Sequence, residues 1–269
     1  MLRIFRSVFA LYILAAAIGF VGFVASGTTV VNDVEYGLGL GNFECILIFL
    51  IWIISVTIVL VTVSRKKLLK INELMFDCKA NEYVAAYEKL LKNPVSKKMR
   101  VFINLSLATG YIFLGDTKRL KQALDRIDIE FLERTRSGIG SAVGYYNHYI
   151  LYYLLIGDTA NAEDCLDRMK RAYISLNIAP LSKASYDDSY MNKRIRINIA
   201  KGEFDGAETH YKLLLETEKQ KATKVVINYT LGKVYTHYGR TAEAKAAFSY
   251  CVEHGGDTIY VSKSKEKLI

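Results

Sequence analysis

The chain has 269 residues, 51% hydrophobic and 23% charged, with a formal net charge of +9 and a mean hydropathy of +0.14. That hydrophobicity excludes a disordered chain, and 2 prolines and 18 glycines exclude collagen-like or linker sequence. Four cysteines at 45, 78, 165 and 251 contain no CxxC pair, which excludes a disulfide scaffold.

Positive hydropathy beside so many charges requires the apolar residues to be segregated, and they lie at the N-terminus. Residues 7–25 (SVFALYILAAAIGFVGFVA) and 45–63 (CILIFLIWIISVTIVLVTV) each run 19 positions without a charge. A bilayer core of roughly 30 Å takes about 20 apolar residues at a helical rise of 1.5 Å. Both segments are therefore predicted to span a membrane. A cleaved signal peptide competes for the first, given Arg3, Arg6 and the small residues near Ala25. If retained, its face of Ala15, Gly19, Gly22 and Ser26 suits close packing on the second helix as a hairpin. Arg65, Lys66, Lys67 and Lys70 follow the second segment, whereas the connecting stretch 26–44 has no Lys or Arg and carries Asp33, Glu35 and Glu44. The excess of positive charge inside predicts both termini in the cytoplasm of a two-pass inner or plasma membrane protein, with a short outside loop. The expected division is 1–64 for this hairpin and 65–269 for a cytoplasmic domain.

Beyond residue 65 the apolar residues recur at three and four, as in Leu120, Leu124, Ile127 and Phe131, which predicts helices. A frame recurs around five turn residues. Asn81 is followed by Ala86 and Leu90. Gly115 is preceded by Leu107, Ala108 and Tyr111 and followed by Leu120 and Leu124. Gly157 has Tyr149 and Tyr153 before it, with Ala162 and Leu166 after. Gly202 has Ile195 before it, with Ala207 and Tyr211 after. Gly239 has the fullest set, with Leu231, Gly232 and Tyr235 before it and Ala244, Phe248 and Cys251 after. The turn needs positive φ, and the helices need a small residue where they cross and a large one to fill the next gap. Stretches 134–144 and 177–190 read as insertions between repeats, Pro94 as the end of the first repeat, and 258–269 as a terminal helix covering the last one.

These residues resemble the tetratricopeptide repeat (TPR) pattern of a Leu-Gly/Ala pair, a Tyr, a turn Gly, an Ala and an aromatic in a helix-turn-helix unit. The resemblance covers about three-quarters of the chain. It implies an all-α fold: a transmembrane hairpin followed by an α-solenoid of about five TPR-like hairpins. It also implies a concave face lined by the first helix of each pair, here Phe102, Leu105, Asn147, Leu151, Asn192, Arg196, Tyr229, Lys233 and His237. Of these, Asn147, Asn192, Arg196, Tyr229, Lys233 and His237 are the expected contacts for a protein or peptide partner.

Catalytic chemistry finds little footing. Gly138, Gly140 and Gly144 lack the preceding strand of a dinucleotide loop, and the four histidines show no HxxxH or HExxH spacing. Neither a cofactor nor a metal is expected, and the chain is not read as an enzyme. Cys78, Cys165 and Cys251 are expected to be reduced packing residues in helices. Residues 65–136 carry 16 basic and 9 acidic side chains, an excess of seven, against 18 and 15 in the rest of the domain. Basic charge next to a bilayer is attracted to anionic lipids, so Arg65, Lys66, Lys67 and Lys70 are assigned to the membrane surface. Nucleic acid is not the expected partner, because helical repeats of this kind lack its recognition elements. The expected function is a membrane-anchored scaffold or adaptor. The alternative is a sensor in which the outer loop or membrane helices signal to the repeats.

Overall fold

The computed structural model describes residues 29–31, 34–36, 42–134, 138–175 and 180–269; side chains at 29–31, 34–36, 42–46, 48, 49, 60, 64 and 180–185 are outside that description. The first apolar segment, 7–25, therefore lies outside the described residues, with Arg3, Arg6 and its small-residue face. The chain divides into two compact units, Met1–Lys70 and Ile71–Ile269.

In the first unit, β1 (Thr29–Val31) pairs antiparallel with β2 (Val34–Tyr36) in the register Thr29↔Tyr36, Val30↔Glu35 and Val31↔Val34. This ladder occupies the stretch read as a plain loop. Its residues are β-branched or aromatic at five of six positions, which suits strand backbone. Helix α1 runs Asn42–Phe76 and contains the second apolar segment. Among the described residues, no helix is long and apolar enough to cross a membrane.

The second unit is all-helical among the described residues. It holds the end of α1 and then α2 (Ala80–Leu91), α3 (Lys97–Leu114), α4 (Thr117–Asp125), α5 (Ile129–Arg134), α6 (Ile139–Ile156) and α7 (Thr159–Ser175). Helices α8 (Pro180–Lys201), α9 (Ala207–Thr217), α10 (Lys221–His237), α11 (Thr241–His254) and α12 (Ile259–Leu268) follow. Local chemistry sets the ends. Ser96 Oγ accepts from Met99 N at 3.3 Å to cap α3, and Asp116 accepts from Arg119 N at 2.9 Å to cap α4. Gly115, Gly157, Gly202 and Gly239 take φ of +70°, +81°, +89° and +69°, so four of the five expected turn residues occupy the left-handed region. Asn81 does not; it lies in the first turn of α2, and Cys78 takes φ +62° instead. Cys78 is thus a turn residue, not a helical one.

Both expected insertions change character. Gly140 and Gly144 lie within α6, so the extra length before it is the short helix α5. Helix α8 runs through most of 177–190, starting at Pro180, a residue suited to a first helical position.

Helix pairs α2/α3, α3/α4, α6/α7, α7/α8, α9/α10 and α10/α11 pack together in sequence. One core cluster joins Tyr146, Ile150, Ala162, Leu166, Met169 and Ile197; another joins Ile199, Ala207, Tyr211, Ile227, Leu231, Val234 and Phe248. Gly232 passes Phe248 so closely that an added Cβ would lie 2.6 Å from the ring. Helix α12 packs on α11 and α10 and also on α3. The last helix of the unit thus meets its first pairs. A third cluster records the meeting: Cys78, Ala222, Val225, Cys251 and Tyr260 are buried together, with Phe113 and Ile259 against them. The Asp257 carboxylate accepts from the backbone N–H groups of Ala80 at 2.6 Å and Asn81 at 2.8 Å, while Asp257 N donates to the Cys78 carbonyl at 3.2 Å.

Candidate functional site

Because α12 returns to α3, side chains of five helices face one space of about 130 Å³. Its wall comprises Ile112 of α3; Leu151, Leu154 and Leu155 of α6; Arg196, Ile199 and Ala200 of α8; Tyr229, Thr230 and Lys233 of α10; and Ile259, Tyr260 and Lys263 of α12. On α6, α8, α10 and α12 the contributors are three and four residues apart, which is the spacing that lines up one helix face. Tyr260 fixes the seam, edge-on to Phe113 at 5.8 Å and beside Tyr229 at 5.3 Å between ring centres.

The wall is apolar on α3 and α6 and cationic on α8, α10 and α12. Arg196, Lys233 and Lys263 line it, and no carboxylate does. Among the described residues none of these three makes an ion pair or hydrogen bond, nor does Lys193, one turn before Arg196. Their charges act on one another. Burial, then the repulsion of Arg196, Lys263 and Lys267, holds the Lys233 ammonium below the usual lysine range. Burial, reinforced by Arg196, brings Lys193 down to about 7. Burial likewise brings His148 down to about 4, with Lys193 adding repulsion, so this imidazole is neutral at pH 7. His148 Nδ1 lies 2.6 Å from the Gly144 carbonyl, which can only accept, so Nδ1 carries the proton. Nε2 then accepts from the Thr109 hydroxyl at 2.8 Å.

Three of the six expected partner contacts, Arg196, Tyr229 and Lys233, meet on this wall, as does Leu151 from the wider concave set. The other three do not line it. Asn147 is partly buried on α6 with its Oδ1 lacking a hydrogen-bond partner. Asn192 Oδ1 accepts from Tyr211 OH at 3.1 Å and so tethers α9 to α8. His237 stacks on Phe204 at 4.0 Å at the exposed end of α10. Sequence reasoning missed Lys263 and Tyr260, since α12 read only as a cover. It also missed Lys193, although Lys193 and Arg196 are three apart on a helix and so share a face.

A second space, of about 390 Å³, lies among α2, α3 and α4 and is larger. Its wall is mixed in charge, with Glu88 among Lys92, Arg119 and Arg126: Arg119 pairs with Asp116 at 2.5 Å and Glu88 at 3.9 Å, and Tyr111 OH donates to Glu88 at 2.8 Å. The tyrosines of 145–153 pack rather than cage. Tyr146 is buried and donates to Glu133 at 2.7 Å, while Tyr149 donates to Asp125 at 2.9 Å. Arg65, Lys66, Lys67 and Lys70 are exposed on α1. No cluster of potential metal ligands is found among the described residues. No family model, no curated protein and no solved structure matches the chain.

Proposed function

We propose that this protein is a membrane-anchored, TPR-like helical-repeat adaptor that engages a negatively charged group of a protein or peptide partner on the cytoplasmic side. The observation that carries the reading is the meeting of Arg196, Tyr229 and Lys233 on one wall without a carboxylate. Desolvated, unpaired cations are costly to hold, and an anion from a partner removes that cost. The four left-handed turn glycines and the Gly232–Phe248 crossing support the TPR-like reading.

The membrane anchor is supported by α1. Its large apolar side chains Leu50, Ile51, Ile54, Ile58, Val59, Val61 and Val63 are all at least 48% exposed. Such a surface suits lipid rather than water. The cluster Arg65, Lys66, Lys67 and Lys70 that follows fits anionic headgroups.

The test is proximity labelling from the C-terminus of the full-length chain in intact cells. Cytoplasmic proteins should be labelled, with one partner lost in an Arg196→Glu, Lys233→Glu double variant. Labelling confined to extracytoplasmic proteins overturns the orientation, and an unchanged partner set overturns the inner-face reading. The paired strands β1 and β2 favour a second reading, a sensor of outside signals. Replacing 26–44 by Gly/Ser then abolishes function, whereas a pure adaptor keeps it.

A further inference from the structure

We infer that the group held between α8, α10 and α12 is a phosphomonoester, gripped by Arg196, Lys233 and Lys263 with its ester carbon against the leucines of α6. This rests on the inner wall being the binding face. The charge count decides among anions. Three cations line one small space, and a carboxylate would neutralise one of them. A phosphomonoester carries about −1.5 to −2 charge at pH 7 and three acceptor oxygens, one for each cationic side chain. Arg supplies a planar fork and lysines supply point charges, a combination suited to a tetrahedral oxyanion. Size decides the rest. A space of about 130 Å³ holds roughly ten water-sized volumes, enough for a phosphate and a short body and too little for a folded segment. Leu151, Leu154 and Leu155 give the body an apolar seat opposite the cations. Lys263 makes the site dependent on closure, because α12 delivers it only while packed on α10 and α3.

The phosphate could belong to a free small molecule or to a phosphorylated side chain of the partner, and the test separates these sources. The full-length chain in non-phospholipid detergent is titrated with inorganic phosphate, phenyl phosphate and benzoate at constant ionic strength, and binding is read by calorimetry and thermal shift. Phenyl phosphate should bind at least tenfold tighter than benzoate and raise Tm by several degrees in a saturable way. Lys233→Met and Lys263→Met should each weaken it at least tenfold, while Lys245→Met, on α11 outside the cavity wall, leaves it unchanged. Lys233→Met should also raise the ligand-free Tm, since it removes repulsion; a lost response is then not a lost fold. A short phosphoserine peptide binding as tightly as phenyl phosphate assigns the group to the partner; binding of the small ester alone assigns it to a free ligand. Equal responses to phenyl phosphate and benzoate, or an unaltered response in Lys233→Met, overturn the proposal. If the partner is still captured in that case, only the phosphate assignment has failed. If the Arg196→Glu, Lys233→Glu variant also keeps the partner, the inner-face reading has failed with it.

Discussion

Gly232 and Lys193 show a residue's surroundings acting in opposite directions. At Gly232 the neighbouring Phe248 ring stands where a methyl group would go, 2.6 Å from its position, and Phe248 is 2% exposed with little room to retreat. Gly232→Ala gains up to about 1 kcal/mol of helix propensity, but forcing apart a packed crossing costs about 1–3 kcal/mol. The variant should be less stable, with Tm lowered by a few degrees in a melt monitored by circular dichroism. At Lys193 the surroundings penalise the charge that is there. Burial brings its folded pKa down to about 7 from the ordinary lysine value of 10.5, so between these values the unfolded chain binds more protons and stability rises with pH. The penalty is complete below pH 7, where both states are charged, and is gone above about pH 10.5. Lys193→Met should therefore melt several degrees higher than wild type at pH 6, with the difference shrinking steadily toward pH 10. A constant difference across that range would refute the sign. The Gly232–Phe248 crossing was legible in the sequence because its partners lie in one hairpin, 16 positions apart. The burden on Lys193 was not, since it comes chiefly from burial that only packing creates, with the charge of Arg196 added.

Helix α2 illustrates how an element's end can be fixed from far away. No side chain of its own caps its first turn, and Lys79 at that position makes no capping bond. Asp257, 177 residues later, accepts from Ala80 N and Asn81 N and so serves as the cap. A carboxylate at a helix start satisfies orphan N–H groups and the helix dipole together. Asp257→Ala should cost about 1–2 kcal/mol, as for other lost caps. It should also loosen the seam over Cys78 and Cys251, both fully buried, with thiol pKa values pushed up to about 11 chiefly by burial. Alkylation of these two thiols in the native protein should accelerate in Asp257→Ala while Cys165, in a different cluster, keeps its rate. Equal acceleration at all three would indicate general destabilisation rather than a seam. Here the sequence misled in an instructive way. Asn81 has the composition of a turn residue, yet the turn falls at Cys78, where the backbone is held by Asp257 from the other end of the domain. With Cys78 as the reference, Tyr83 and Tyr87 occupy the places that Ala244 and Phe248 hold in the last pair, and both are buried. The strands β1 and β2 were legible in principle, as a short β-branched stretch on either side of Asn32-Asp33, but that stretch is only three residues long on each side.

For the second unit as a whole, closure changes what stability means. An open array of repeats is a sum of local terms and frays at its ends. Here the end helix α12 packs on α10, α11 and α3, and Ile259 seats against the turn at Gly115 so tightly that a Cβ there would clash. The hairpins were visible in the sequence because each is a local pattern of turn glycine and apolar spacing. Closure was not, because it depends on small rotations accumulated over successive pairs and on contacts such as Phe113 with Tyr260 that no periodicity encodes. Removing residues 256–269 separates the two architectures. In an open array the loss would affect only α10 and α11, which α12 covers. In the closed unit it also strips the cap from α2, the cover from Phe113 and the contact on Gly115. Hydrogen exchange of the truncated chain should therefore speed up in α2 and α3 as well as in α10 and α11, while α7, which has no close packing with α12, changes least. Exchange confined to the last pair would mean that the seam is a loose contact and that the cationic wall is not held together by it.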